Sequence, residues 1–412
     1  MTGFTRQDAM RCDAEDGLAG LRDRFHLPSG GVYLDGNSLG ALPRDTEEAV
    51  GGLVRSQWGQ DLIASWNRHD WIGAPQRLGG LIAPLVGARD TEVIVCDTTS
   101  VNLFKLIAAA LAARPGRTTI LSETGNFPTD LYMAQGVAGM RGDVALRTVA
   151  ADDIVDAIDD RTALVLLTHV HYRTSRMLDM RAITRAAHAR GALALWDLSH
   201  SAGAVPVALD ACAVDLAVGC GYKYLNGGPG APAFLFVADR LQPELRSPLS
   251  GWMGHASPFA FDDAYSPADG LSRFLCGTPP MLAMAALESG LAQFAGVDLD
   301  ALFAKSRALC DLLILLMRER CGDLGFTLVS PRDPLRRGSH VSYAHPQAYP
   351  ICQALIANGV VGDFRAPDVL RLGLAPLYLR FVDVFDAVET LRRIMTEGEW
   401  DRPSYHARAR VT

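Results

Sequence analysis

The sequence predicts an α/β chain, with a mostly parallel central sheet covered by helices and a smaller α+β unit after it. Three observations lead there. From about Glu92 to Val237, short β-rich apolar runs alternate with amphipathic helical stretches. Those runs are apolar nearly throughout, as in strands buried on both faces. After about Leu291 the pattern changes to long helices separated by brief strand-like segments.

In chain order, the expected strands are EVIVCD, TTILSE, VALRTV, TALVLLTHV, ALALWDLS, VDLAVGC and APAFLFVA. Between them VNLFKLIAAALAA, TDLYMAQGVAG, ADDIVDAID and MRAITRAAHARG read as helices, the last closed by Gly191. Beyond Leu291 come a long helix, DALFAKSRALCDLLILLMRER, then FTLVSP, HVSYAHP, a helix around PQAYPICQALIANG, and VLRLGLAPLY. A final periodic helix is expected from about Val382 to Thr396, and the tail DRPSYHARARVT is expected to be loose. The suggested division is a large domain at 48–290 and a small one built from 1–47 and 291–412.

Composition narrows the class. With 49% hydrophobic and 21% charged residues, the 412-residue chain suits a globular enzyme with a large core. A formal net charge of −7 argues against sequence-independent nucleic-acid binding, which needs clustered positive charge. The eight cysteines never form a CxxC pair, so neither zinc nor redox chemistry is signalled. No cationic start leads into an apolar run at the N-terminus, and no stretch approaches the roughly 20 apolar residues of a membrane span. A soluble, cytoplasmic, free-thiol protein is the expectation.

Parallel sheets bind ligands beyond the carboxyl ends of their strands, and polar residues gather at those positions here: Asp97, Thr99 and Ser100, Thr168, Asp197 and His200, and Lys223. Lys223 stands in GYKYLNGGPGAP, just past an apolar strand, in a chain that otherwise favours arginine. Desolvation of such a lysine favours its neutral amine, a nucleophile for an aldehyde cofactor. Asp197 ends the preceding strand, and a carboxylate there can keep a pyridine nitrogen protonated. A structural ion pair is the plain alternative.

The neighbours add to this reading. TTS at 98–100 opens a helix, where hydroxyls and backbone N–H groups either bind phosphate or simply cap. In FPTD, Phe127 can stack on a flat ring and Asp130 can bond a ring substituent; a core phenylalanine and a cap are the alternatives. His169 and His171 in HVHYR invite a metal, but no third ligand has a convincing spacing. His200 is either a cofactor neighbour or a satisfied buried imidazole. Tyr222 can touch phosphate or relay protons, or merely pack. Arg371, in VLRLGLAPLY, offers a planar fork matching the two oxygens of a substrate carboxylate.

Taken together, YLDGNSLG, DTTSVNLFK, GNFPTD, HVHYRT, WDLSHSAGAVP, GYKYLNGGPGAP, LSGWMGH, FLCGTPP and LRLGLAPLY resemble the kynureninases, from about Tyr33 to Tyr378. DLSHSAG and GYKYLNGG alone would also suit cysteine desulfurases. The resemblance implies the fold-type I architecture of pyridoxal-phosphate enzymes and the hydrolysis of L-kynurenine, or 3-hydroxykynurenine, to an anthranilate and L-alanine. It implies that Lys223 holds the cofactor aldehyde, that Asp197 pairs with the ring nitrogen, and that Thr99, Ser100 and Tyr222 hold the phosphate side. Phe127, Pro128, Thr129 and Asp130 would form one wall of the site, with Thr168 and His200 also in contact. Trp252 and Thr278 match positions supplied by a neighbouring subunit, implying a homodimer with shared sites. Arg371 would bind the substrate carboxylate, with Ser38, Trp66 and Gly277 at the substrate pocket. Family forms preferring 3-hydroxykynurenine carry asparagine where Thr278 follows Gly277, so this chain resembles the type acting on kynurenine. The rivals are a cysteine desulfurase using Cys276, an aminotransferase, and a cofactor-binding regulator without catalysis.

Overall fold

The computed structural model describes residues 3–408. All seven strands expected in the first half form, as β1 (Val93–Val95), β2 (Thr119–Glu123), β3 (Ala145–Val149), β4 (Thr162–Thr168), β5 (Leu193–Asp197), β6 (Leu216–Cys220) and β7 (Ala233–Val237). They make one sheet in the order β1-β7-β6-β5-β4-β2-β3. Only β7 runs against its neighbours, pairing antiparallel with both β1 and β6. Six of the strands, all but the edge strand β3, are buried at every residue. Two apolar layers result, one on each face, and each is covered by helices. The fold class is therefore α/β, as the near-continuous apolar runs require.

Helices cover the sheet where the apolar periodicity places them, at Thr99–Ala112, Pro128–Arg141 and Met180–Ala189. Each begins on a residue that suits a helix start. Thr98 and Asp179 accept a backbone N–H of the first turn, and Pro128 opens its own helix. ADDIVDAID differs, folding into a 3-10 turn, Ala151–Asp153, and one short helical turn, Ile154–Ala157. Its two adjacent aspartates favour local turns over a longer helix.

A second, antiparallel sheet joins β8 (Thr327–Leu328), β9 (His340–Ala344), β10 (Asp363–Arg365) and β11 (Val369–Gly373) in the order β8-β9-β11-β10. Helices Leu299–Arg320 and Ala348–Ala357 pack on it, and Phe381–Thr396 packs on those two helices. The N-terminal segment packs here too: Val32–Tyr33 pairs in parallel with Val360–Val361, and Asp13 accepts from the N–H groups of Phe381 and Val382. The tail is not loose over its described part. Residues 399–406 form two short helical turns, and the Tyr349 hydroxyl donates to the Ala407 carbonyl at 3.0 Å. Residues 409–412 of that tail lie outside the described residues.

Candidate active site

Because β1, β2, β4, β5 and β6 point the same way, their carboxyl ends share one edge of the sheet. Thr168 and Asp197 are direct partners in the β4–β5 register, so both side chains leave the same face. Lys223 follows β6 by three residues and is buried. The turn after it needs left-handed backbone at Asn226, Gly228 and Gly230, which explains the composition of NGGPG.

The Lys223 ammonium lies 5.7 Å from the centroids of both the Phe127 and Tyr222 rings. Its Nζ donates to His200 Nε2 at 2.9 Å. Burial, followed by the Lys223 and Arg371 charges, holds the His200 imidazole well below its usual pKa, so it is a neutral acceptor. The other two lysines each have a carboxylate: Lys105 meets Asp97, and Lys305 meets Asp16 at 2.7 Å. Among the described residues, the Lys223 ammonium hydrogen-bonds only the neutral imidazole and feels the Asp197 and Asp130 carboxylates without contact.

Asp197 is buried, accepts the Ser199 N–H at 2.7 Å, and has its carboxyl raised mainly by burial. Asp130, also buried, is pushed well up by burial and then by the Asp197 charge. Its Oδ2 accepts from the Thr168 hydroxyl at 3.1 Å, while Oδ1 has no protein partner. Asn126, which sequence reasoning left unassigned within GNFPTD, ties this wall together. Its Oδ1 accepts from the Thr168 hydroxyl at 2.5 Å and from the Phe127 N–H at 2.8 Å. Burial also raises the Tyr222 phenol, which stays protonated as a donor rather than serving as a base at neutral pH.

At the phosphate end, Thr98 takes the capping role, accepting from Val101 N–H at 3.3 Å. Thr99 and Ser100 occupy the first helical positions with their hydroxyls uncommitted to the cap. A lysine opposite an aromatic plate, a buried carboxylate and a helix N-terminus with free hydroxyls fit a phosphorylated pyridine aldehyde. The unpartnered buried atoms Asp130 Oδ1 and His200 Nδ1 fit the same group.

Arg371 is 1% exposed, and its fork is already engaged. Nε donates to Asp363 Oδ1 at 2.8 Å, Nη1 to the Tyr172 carbonyl at 2.7 Å, and Nη2 to Asp363 Oδ2 and to Ser38 Oγ at 2.9 Å. Four of its five N–H groups thus have protein acceptors, and one Nη1 donor is left. Ser38, expected at the substrate pocket, accepts from the guanidinium. Asp363, which holds the guanidinium, and Arg365, which donates to Asp363, were not foreseen; their spacing of two on one strand is the signal that marks them as facing one side. His340 was missed as well. It is fully buried with both ring nitrogens unpartnered, 5.5 Å from the His200 ring.

Other expected residues lie elsewhere. Trp66 stacks edge-on against Trp71 at 5.9 Å and packs on the second core layer. Trp252, Gly277 and Thr278 are exposed on a rim. His169 and His171 both lie past the end of β4. His169 bonds the Ser201 hydroxyl at 2.9 Å and His171 bonds the Gly125 carbonyl at 2.9 Å, so they turn to different partners. Cys276 donates to the Leu249 carbonyl at 3.3 Å, and burial raises its thiol, the opposite of what a nucleophilic thiolate needs.

Comparison with known proteins agrees with this geometry. Residues 302–391 match the family model described as the kynureninase C-terminal domain. Curated kynureninases from Burkholderia mallei (strain SAVP1) and Pseudomonas fluorescens are 51% and 49% identical, each over 99% of this chain and 100% of theirs. Solved structures with similar folds include an apo cysteine desulfurase from Thermococcus onnurineus NA1, with TM-score 0.77 and 17% identity over 92% of this chain and 98% of that one. A complex of the cystine C–S lyase C-DES with cysteine persulfide gives 0.76 and 17%, over 88% and 98%. At that identity these two speak for the fold alone. Half-identical along its whole length to kynureninases, the chain belongs to the kynureninase family, enzymes of pyridoxal-phosphate-dependent kynurenine hydrolysis.

Proposed function

We propose that Lys223 carries both the cofactor aldehyde and the substrate's Cα proton in the hydrolysis of L-kynurenine to anthranilate and L-alanine. The observation that carries this reading is the buried Lys223 ammonium whose described partner is a neutral imidazole, beside two lysines that are each neutralised by a carboxylate. An amine so placed is free to react and then to accept a proton. Pyridoxal phosphate, when bound, supplies the electron sink for charge developing on the substrate carbons.

The chain's own groups do the rest. Asp197 holds a proton at the ring nitrogen, and Phe127 presents its face. Asp130, Thr168 and Asn126 form one hydrogen-bonded wall, and the helix N-terminus at Thr99 and Ser100 takes the phosphate. The free Nη1 donor of Arg371, with the Ser38 hydroxyl beside it, receives the α-carboxylate. Tyr222, kept protonated, is suited to give a proton to the carbon leaving group. A cavity of about 750 Å³ lined by His171, Tyr172 and Arg173 adjoins Arg371 through the Tyr172 carbonyl and is the approach for substrate.

The reading extends to the assembly. Trp252, Gly277 and Thr278 lie on an exposed rim and are assigned to the neighbouring protomer's site in a homodimer. Threonine at 278 is assigned to preference for kynurenine over its 3-hydroxy form. Residues 48–290 form the cofactor-binding body, with 1–47 and 291–412 as the smaller unit.

The test is direct. Purified protein, cofactor and L-kynurenine are mixed and anthranilate fluorescence is followed, with 3-hydroxykynurenine run in parallel. Lys223→Ala is expected to lose at least about a thousandfold in turnover, about 4 kcal/mol of barrier. Unchanged anthranilate release by that variant sinks the assignment.

A further inference from the structure

Lys105 is fully buried on the second turn of the helix Thr99–Ala112, outside the set of residues assigned to the reaction. Its ammonium meets three acceptors. These are Asp97 Oδ2, the Phe274 carbonyl at 2.6 Å, and Cys96 Sγ at 3.8 Å. Asp97 comes just before the cap residue Thr98 and takes a left-handed backbone, φ 49°, which a non-glycine residue holds only when its surroundings fix it. The ammonium holds the Asp97 side chain, and the Ala233 N–H holds its carbonyl at 3.0 Å.

On its other side, Phe274 leads directly into the rim segment that carries Cys276, Gly277 and Thr278. The turn Trp252–Gly254 closes tightly on this segment. Met253 N–H donates to the Cys276 carbonyl at 3.3 Å, and a Cβ on Gly251 would stand 2.2 Å from that same oxygen. One on Gly254 would stand 2.4 Å from the Leu275 carbonyl. The rim is therefore tightly joined within itself; it shares an apolar cluster with Leu103 and Leu106 of the helix, and the Lys105 ammonium adds a directed polar tie.

We propose that Lys105 is a positioning residue, whose ammonium sets the N-terminus of the helix at Thr99–Ser100 and the rim at Trp252 and Thr278 in a fixed relation to each other. A buried ion pair is a weak source of stability, since an apolar side chain of similar volume often serves as well or better. What three directed hydrogen bonds supply is a geometry that apolar packing does not specify. The inference deepens the proposed function and rests on its placement of the phosphate and of the rim.

The test uses Asp97→Asn/Lys105→Met, which removes both charges together and leaves no buried ion unpaired. Apparent Kd values for pyridoxal phosphate and for pyridoxal are measured by absorbance titration well below the Tm. The ratio of kcat/KM for kynurenine to that for 3-hydroxykynurenine is measured alongside. We expect the preference for the phosphorylated cofactor to fall at least tenfold and the substrate ratio to shift at least threefold. A folded double variant that only melts earlier, with both ratios within twofold of wild type, overturns the proposal. If that variant does not fold, Asp97→Asn alone decides, with a fall of at least threefold in the phosphate preference required. Failure of the broader reading looks different, because the unmutated protein would then release no anthranilate.

Discussion

At the residue scale the site is a set of buried charges, each answered by a specific neighbour. Arg371 illustrates this. Burial alone would raise the Asp363 carboxyl, but hydrogen bonds from Arg371 and the charges of Arg371 and Arg365 hold it below the usual range. Arg371→Ala is expected to raise the apparent KM for kynurenine at least tenfold while the cofactor stays bound, read from steady-state kinetics beside the cofactor absorbance; an unchanged KM removes the carboxylate assignment. Asp35 stands beside this pair. Burial, and next the Asp363 charge, lift it to about 7 from its ordinary 3.8, and its buried Oδ1 has no partner among the described residues. Between those values the folded chain holds a proton that the unfolded chain releases. Stability from this group therefore declines as pH rises from about 4 to about 7 and is level above. Asp35→Asn should raise the Tm at pH 8 and leave it nearly unchanged at pH 4, with a ceiling of roughly 4 kcal/mol at about 1.4 kcal/mol per pKa unit. Equal shifts at both pH values would contradict the burial argument.

At the element scale, the reactive turn after β6 is held from outside by the N-terminal segment. The Gly40 N–H donates to the Tyr222 carbonyl at 2.8 Å. A Cβ at Gly40 would come within 2.3 Å of the Lys223 carbonyl oxygen and 2.6 Å of Asn226 Oδ1. Gly40→Ala should therefore push the turn away and destabilise the protein by about 1–3 kcal/mol, the usual range for overpacking. Thermal melting gives that loss, and a cofactor titration shows whether Lys223 moved with its backbone. A variant matching wild type in both would mean that the segment and the turn yield freely. This contact also shows why GNSLG belongs with the reactive lysine although the two are far apart in the chain.

At the scale of the whole molecule, net charge is −7, and the lysines are three: Lys105, Lys223 and Lys305, all buried. Exposed positive charge among the described residues is thus arginine and the occasional histidine. Large apolar side chains stand out on the surface. Phe261, which follows the rim's Trp252 in the chain, is 78% exposed, and Ile63 is 80% exposed. Only contiguous apolar patches mark contacts between chains, so single exposed side chains leave the assembly to experiment. If protomers share sites, mixing Lys223→Ala with Trp252→Ala creates one intact site in each mixed dimer, and about a quarter of wild-type activity should return under random exchange. No recovery, with exchange confirmed by mass, would separate Trp252 from the neighbouring site.

Much of this was legible in one dimension because it is local. Seven apolar runs specify seven strands, six of them buried throughout, and the polar residues that follow the parallel ones must lie at one edge. Lys223, Asp197 and Thr168 were singled out that way, and Phe127 from the FPTD motif between a strand and a helix. Asp363, Arg365 and His340 were not, since antiparallel pairing in the second sheet, Asp363 opposite Arg371 and His340 opposite Gly373, is what brings them in. The loose tail and the arginine fork open to substrate were each replaced by a contact that only folding creates, whereas ADDIVDAID shortened for the local reason of its adjacent aspartates. Sequence by itself determined the seven strands of the first sheet, the candidate lysine and the family, because apolar periodicity and motif order are properties of neighbouring residues. Tertiary structure decided which carboxylate each cation meets, because a buried charge takes its partner from whatever segment the fold brings within hydrogen-bonding reach.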